Sequence, residues 1–200
     1  TWGARNIDLG LTGRELSSVS PPPGAVVVQT LNGGWSNVAQ FDPPGALPAA
    51  ASSIPTPWTA LYVWDPLKPM LETVGAYRRF VRAAPAFVND VTALAQYQPF
   101  WINAPASNPG SPNPNPPAGR VLSLVAGWNN FTYTGTSKAV ADALSQISGK
   151  YSEVAQFDNA TSTWLIHSPN TPRYLNDFGG LFKLKVYWIY MSAPGSITMN

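Results

Sequence analysis

The sequence predicts a mainly β protein of the α+β kind: two tandem small sheet or barrel-like modules, each with one helix, plus an extended N-terminal arm strand. Three observations predict it. The first is punctuation: 21 Pro and 16 Gly among 200 residues break long helices and supply turns between short strands. The second is alternation: in "NNFTYTG" (129–135), Phe131 and Tyr133 alternate with polar residues, the period of a half-buried strand. The third is an internal repeat, which decides the whole architecture where it occurs.

The repeat runs at two constant offsets. At an offset of 93, Gly34-Trp35 matches Gly127-Trp128, Asn37 matches Asn130, Ala50 matches Ala143, and Ile54 matches Ile147. Trp58 matches Tyr151 and Trp64-Asp65 matches Phe157-Asp158 at the same offset. The offset then falls to 87, pairing Asn89-Asp90 with Asn176-Asp177, Leu94 with Leu181, and Trp101-Ile102 with Trp188-Ile189. One six-residue insertion in the first copy, near "VGAYRRF", explains the change. The chain thus divides into an N-terminal arm (1–23), a first repeat module (24–104), a Pro/Asn-rich linker (105–118) and a second repeat module (119–200).

In the arm, Ile7, Leu9 and Leu11 alternate with Asn6, Asp8, Gly10 and Thr12, again the period of a strand. This strand has no duplicated partner. It needs a sheet edge to satisfy its backbone, either in its own chain or in the next subunit by strand addition. The first module carries an Ala-rich helix, "LPAAASSI", interrupted by Pro48, and its insertion lengthens the hairpin after Asp65. The linker is expected to be extended, partly polyproline II.

In the second module, "VLSLVAG" and "NNFTYTG" read as strands. "TSKAVADALSQISGKY" reads as a helix: Thr136 or Ser137 caps it, Val140, Ala143, Leu144 and Ile147 share a face, and Gly149 ends it. "YSEVAQFD", the turn "NATS" and "TWLIHS" form a hairpin. "NDFGGL" is a turn or short helix capped by Asn176 or Asp177. "VYWIYM" is a strongly β-prone last strand.

The repeated residues resemble a module of bacterial cell-surface and secreted proteins. In that family a Gly-Trp-Asn strand leads to an Ala-Leu-x-x-Ile-x-Gly helix, a hairpin follows, and Asn-Asp-Leu and Tyr-Trp-Ile close the module. The likeness covers both copies but neither arm nor linker. The first copy departs at Ser36, at Pro48 and in lacking the Trp after Asp65. The resemblance implies a structural module of exported proteins with no catalytic set.

Chemistry is sparse. Net charge is +2 and charged residues are 11%, well below the usual quarter. Only Arg78, Arg79 and Arg82 cluster, too few for a nucleic-acid footprint. Cys is absent, which removes disulfides and thiolate chemistry. No run reaches the ~18–20 apolar residues of a membrane span. His167 stands alone, and no nucleophile elbow, phosphate loop or dinucleotide fingerprint occurs. Asp65, Asp158, Asp90 and Asp177 sit where Asp bonds nearby backbone amides. Asp158, Asn159 and Thr161 offer oxygen ligands but without calcium-loop spacing. The expectation is therefore a non-enzyme without cofactor or metal.

Among the aromatics, Trp35, Trp128, Trp101 and Trp188 lie in strands beside apolar neighbours and read as core. Trp58, Trp64 and Trp164 are the candidates for exposed faces that stack on a ligand. Asn159, in "NAT", is the candidate glycosylation acceptor. A first residue of Thr1 rather than Met fits a removed signal peptide. The expected function is an extracellular structural protein that self-assembles into a homopolymeric filament or surface layer through the arm. The alternative is a secreted carbohydrate-binding or adhesive module that holds surface glycans on exposed aromatics.

Overall fold

A computed structural model describes residues 26–52, 54, 57–70, 73–112 and 116–200. Arm residues Ile7, Leu9 and Leu11 lie outside the described residues. The first half contains β1 (Val26–Val28), β2 (Gly34–Ala39), β3 (Gly45–Ala46), β4 (Ala60–Met70), β5 (Thr73–Val81), β6 (Ala93–Leu94), β7 (Pro99–Ala104) and β8 (Gly110–Pro112). The second contains β9 (Arg120–Leu124), β10 (Gly127–Thr132), β11 (Lys138–Ala139), helix α1 (Val140–Ala143), β12 (Tyr151–Asp158), β13 (Thr163–His167), β14 (Gly180–Leu181), β15 (Val186–Met191) and β16 (Gly195–Met199).

The chain is mainly β, as predicted, but among the described residues no sheet closes into a barrel. Two four-stranded antiparallel sheets run in the orders β2-β7-β4-β5 and β10-β15-β12-β13. Each has two short ribbons beside it: β1-β8 and β3-β6, then β9-β16 and β11-β14. Strand order and register recur together. Asn37 pairs with Trp101 in the first sheet, and Asn130 with Trp188 in the second.

Period-two alternation decides what each sheet buries. In β7, Phe100, Ile102 and Ala104 face a core with Val38, Trp58, Leu61 and Val63. In β15, Tyr187, Ile189 and Met191 face a second core with Phe131, Leu144, Ile147 and Val154. The opposite faces carry Trp101 and Trp188. A third small cluster joins the halves through Ala39, Phe41, Tyr97, Leu184 and Val186.

The helices are shorter than expected. The second half has one turn, α1, followed by a 3-10 turn at Ser145–Ile147. In the first half the predicted Ala-rich helix is reduced to the 3-10 turn Ala49–Ala51 after Pro48. Val140, Ala143, Leu144 and Ile147 do face the core, so the apolar spacing was informative. The predicted start is absent because Lys138 and Ala139 pair with Leu181 and Gly180. Neither predicted cap acts as one: Thr136 donates its hydroxyl to the Asn200 carbonyl (3.0 Å), and Ser137 Oγ accepts the Lys183 amide (3.0 Å).

The stretch 105–118 is also more structured than a linker. Its strand β8 pairs with β1, and Ser107 bridges Leu31. The non-proline residues between its prolines retain the N–H groups that make this possible. The hairpin β4-β5 is lengthened as expected, with a register shift between Asp65 and Pro69.

Side-chain amides and carboxylates finish the sheet edges. Asn89 Oδ1 accepts the Val81 amide and Asn176 Oδ1 accepts the Ser168 amide, both at 2.8 Å. Asp90 accepts the Arg79 amide, and Asp177 accepts the Ile166 amide. Each Asn-Asp pair therefore acts as a short strand beside β5 or β13. On edge strand β2, Gln29 holds both backbone groups of Ala39, and Asn159 holds both of Asn37. An occupied edge resists strand addition by another chain.

Candidate ligand-binding cleft

The outer faces of the two sheets meet through aromatic rings. Trp188 lies 5.5 Å from Trp64 and 6.3 Å from Tyr77. Trp101 lies 4.9 Å from Phe157 and 5.9 Å from Trp164. These two sets correspond through the same offsets as the sequence repeat. Trp188 of β15 and Trp101 of β7 thus each pack against the hairpin of the other half. The ring pairs are steeply inclined, the edge-to-face arrangement that aromatic quadrupoles favour.

Polar contacts lock this arrangement. The Trp64 indole donates to the Trp128 carbonyl at 2.7 Å, and the Trp188 indole donates to Asn37 Oδ1 at 3.0 Å. Asn130 Nδ2 donates to the Tyr187 carbonyl at 3.0 Å. The equivalent indole of Trp101 differs: its Nε1 is buried without a hydrogen-bond partner. Burial raises the pKa of the Tyr77 hydroxyl and the Trp101 indole lowers it in part, but no partner meets hydrogen-bond geometry at that nitrogen.

On one side of this belt the surface opens into a cleft of about 530 Å³, lined by Trp64, Tyr77, Trp128, Glu153, Ala155, Trp164, Ile166 and Trp188. That volume is within the range of small-ligand sites. Trp188 is 6% exposed and forms the floor, while Trp164 is 47% exposed. Trp64 is fixed from behind by Gly75. This residue has φ +104, and a Cβ there would stand 2.6 Å from Trp64 Cζ2. Glu153 reaches the cleft beside a register shift between Tyr151 and Glu153, the kind of bulge that re-aims a side chain.

The cleft is one-sided for a visible reason. Counting back by the repeat offset, Ala155 corresponds to Tyr62. Tyr62 packs its ring 5.1 Å from Trp35 and 6.0 Å from Tyr77. It fills in the first half the space that Ala155 leaves open in the second.

Of the expected stacking residues, Trp64 and Trp164 line the cleft, but Trp58 does not. Trp58 is 2% exposed in the first core, beneath Arg82 at 5.0 Å. Trp35, expected in a core, is 42% exposed, because its strand's core-facing residues are its neighbours. Trp101 and Trp188 face the other half of the chain rather than their own core, and Trp128 packs beside Trp188 and Tyr190 of its own half. Tyr77, Trp128, Glu153 and Trp188 were not anticipated as lining residues; only the meeting of outer faces reveals them. Asn159 commits its side-chain amide to Asn37, donating to its carbonyl at 2.9 Å.

Asp65 Oδ1 accepts the Leu67 amide and Asp158 Oδ1 the Ala160 amide, equivalent turn bonds in the two hairpins. His167 Nδ1 pairs with the Phe178 carbonyl at 2.9 Å. Among the described residues no group of three or more His, Cys, Asp or Glu is placed to hold a metal ion. No helix among them is long and apolar enough to cross a membrane. Comparison of the chain with protein-family models, curated proteins and solved structures finds no match.

Proposed function

We propose that this chain is an extracellular adhesive protein, two related modules in tandem, that binds a small ligand group in the aromatic cleft between them. The observation that carries this reading is the cleft itself: four Trp and one Tyr around about 530 Å³, with a buried floor and exposed walls. Large aromatic area left open and converging is the usual character of a binding pocket rather than a core. The sequence resemblance to surface modules supports the location. The test is intrinsic fluorescence titration of the protein and of Ala155→Tyr with a panel of soluble glycans and organic cations. A saturable response in the parent that Ala155→Tyr abolishes supports the reading. A response equal in both proteins overturns it.

Self-assembly is a second reading, favoured by one specific observation. Phe87 and Tyr174 occupy equivalent 3-10 turns, at Ala86–Val88 and Arg173–Leu175, and are 89% and 79% exposed. Protruding aromatics at two related positions give one chain two sticky points, enough to propagate a homopolymer. Negative-stain microscopy of the full chain, of a chain lacking residues 1–20 and of Phe87→Ser/Tyr174→Ser tests it. Filaments from the full chain that either change disperses support assembly. Single particles throughout refute it.

A further inference from the structure

Resting on the cleft as the binding site, we infer that its ligand carries a quaternary ammonium group, seated among the aromatic rings and facing the Glu153 carboxylate. The argument begins with what the lining lacks. A sugar must replace many water hydrogen bonds when it enters a site, and each one left unmade costs free energy. Two of the four lining indoles have already spent their N–H groups inside the protein, Trp64 on the Trp128 carbonyl and Trp188 on Asn37. The side-chain polar groups remaining on the lining are the Trp128 and Trp164 indoles, the Tyr77 hydroxyl and the Glu153 carboxylate.

What the lining offers suits a cation. The faces of Trp and Tyr are electron-rich and attract alkylammonium groups, which need no hydrogen bonds. Around Trp188, the rings of Trp64, Tyr77, Trp128 and Trp164 stand at 60°, 66°, 73° and 76° to its plane. Walls steeply inclined to a floor surround a round cation better than a flat sugar ring. Glu153 is the one charged residue of the lining, and it takes part in neither salt bridge found among the described residues. Ala155 and Ile166 add an apolar wall for the body that carries the ammonium.

The experiment is a fluorescence titration of the full chain with choline, phosphocholine, cellobiose and 3,3-dimethyl-1-butanol, the uncharged isostere of choline. The expected result is saturable binding of choline or phosphocholine, with the isostere weaker by about tenfold or more. Glu153→Gln, a near-isosteric change, should weaken choline severalfold without altering the circular dichroism spectrum. Phosphatidylcholine vesicles against phosphatidylglycerol vesicles separate a lipid headgroup from a free cation: co-sedimentation with the first alone assigns the group to a membrane surface. Equal binding of choline and its isostere overturns the inference. Binding of cellobiose but not choline, lost in Ala155→Tyr, overturns the cation while leaving the cleft as the binding site. A response to every probe unchanged by Ala155→Tyr overturns both.

Discussion

Trp101 and Trp188 occupy equivalent registers, yet replacing each with Phe should change stability by different amounts. Both substitutions shrink one ring at the contact between halves, so that loss is common to the pair. The indole N–H groups differ. Trp188 Nε1 is bonded to Asn37 Oδ1 at 3.0 Å, leaving that oxygen only a long 3.4 Å contact with Asn130 Nδ2 when the indole is removed. Trp101 Nε1 is buried with no partner, so its removal relieves a desolvated donor. A satisfied hydrogen bond contributes a net ~1 kcal/mol, and an unsatisfied buried donor costs ~1–3 kcal/mol. Trp188→Phe should therefore be less stable than Trp101→Phe by about 2–4 kcal/mol. At about 2–4 °C per kcal/mol for a chain of this size, the melting temperatures should differ by about 4–16 °C. Urea titrations followed by far-ultraviolet circular dichroism measure it directly, with the m-value checked for constancy. Equal losses at the two sites, or a larger loss at Trp101, would refute the account of the interface.

Further outcomes follow from the same contacts. Asn176→Ala should cost about 1–2 kcal/mol and speed hydrogen exchange at the Ser168 amide, leaving Val81 protected; exchange rising equally at both would dismiss the local capping role. Gly75→Ala combines a positive φ with a Cβ 2.6 Å from Trp64; it should push Trp64 off the Trp128 carbonyl and red-shift the fluorescence. In acid, burial raises the Asp65 and Asp90 carboxyls, but the Leu67 amide and Arg78 for Asp65, and Lys68 and the Arg79 amide for Asp90, outweigh it and hold both below the usual value. Their stabilisation is complete above the ordinary carboxylate range and is lost as pH falls through the lowered values, so melting temperature should drop below about pH 4. In alkali, burial pushes the Tyr133 hydroxyl up to about 12. Its contribution holds below the ordinary phenol value and fades as pH climbs toward that figure, which an absorbance titration of tyrosinate follows.

The longer strands were legible because alternation has a period of two and their runs ended at Gly, Pro or Asn; β8, inside the stretch read as a linker, and β16, beyond the strand read as the last, were not. The Asn-Asp pairs were legible as backbone caps, since short polar side chains after a turn usually bond amides. Which amides they cap was not, because that depends on a strand folded back from 8 or 11 residues away. The helices were overread: apolar spacing marked the buried face of Val140, Ala143, Leu144 and Ile147, but the flanking Lys138 and Ala139 gained more from pairing with Gly180 and Leu181. Trp58 and Trp35 were placed on the wrong sides for a related reason. A Trp says that much area is to be covered, not which face covers it.

The cleft depends on a difference, and a difference is the part of a repeat that matching positions conceal. Trp35, Asn37, Trp64 and Trp101 recur as Trp128, Asn130, Phe157 and Trp188, and together they close the two halves on one another. A fully symmetric closure would leave either two clefts or none. Tyr62 fills its side by packing against Trp35 and Tyr77. Ala155, at the matching position, cannot, and Glu153 and Ile166 replace Ala60 and Arg79 beside it. The same three exchanges open the space, supply its negative charge and remove the cation that would have neutralised it. Those exchanges also make the site transferable. Tyr62→Ala should open a second apolar cleft on the first side, and adding Ala60→Glu and Arg79→Ile should give it the charge that the first half lacks and remove the cation that would neutralise it. If the cleft arises from these side chains, the triple variant should bind with doubled stoichiometry. An unchanged stoichiometry in a folded triple variant would place its origin in the backbone instead.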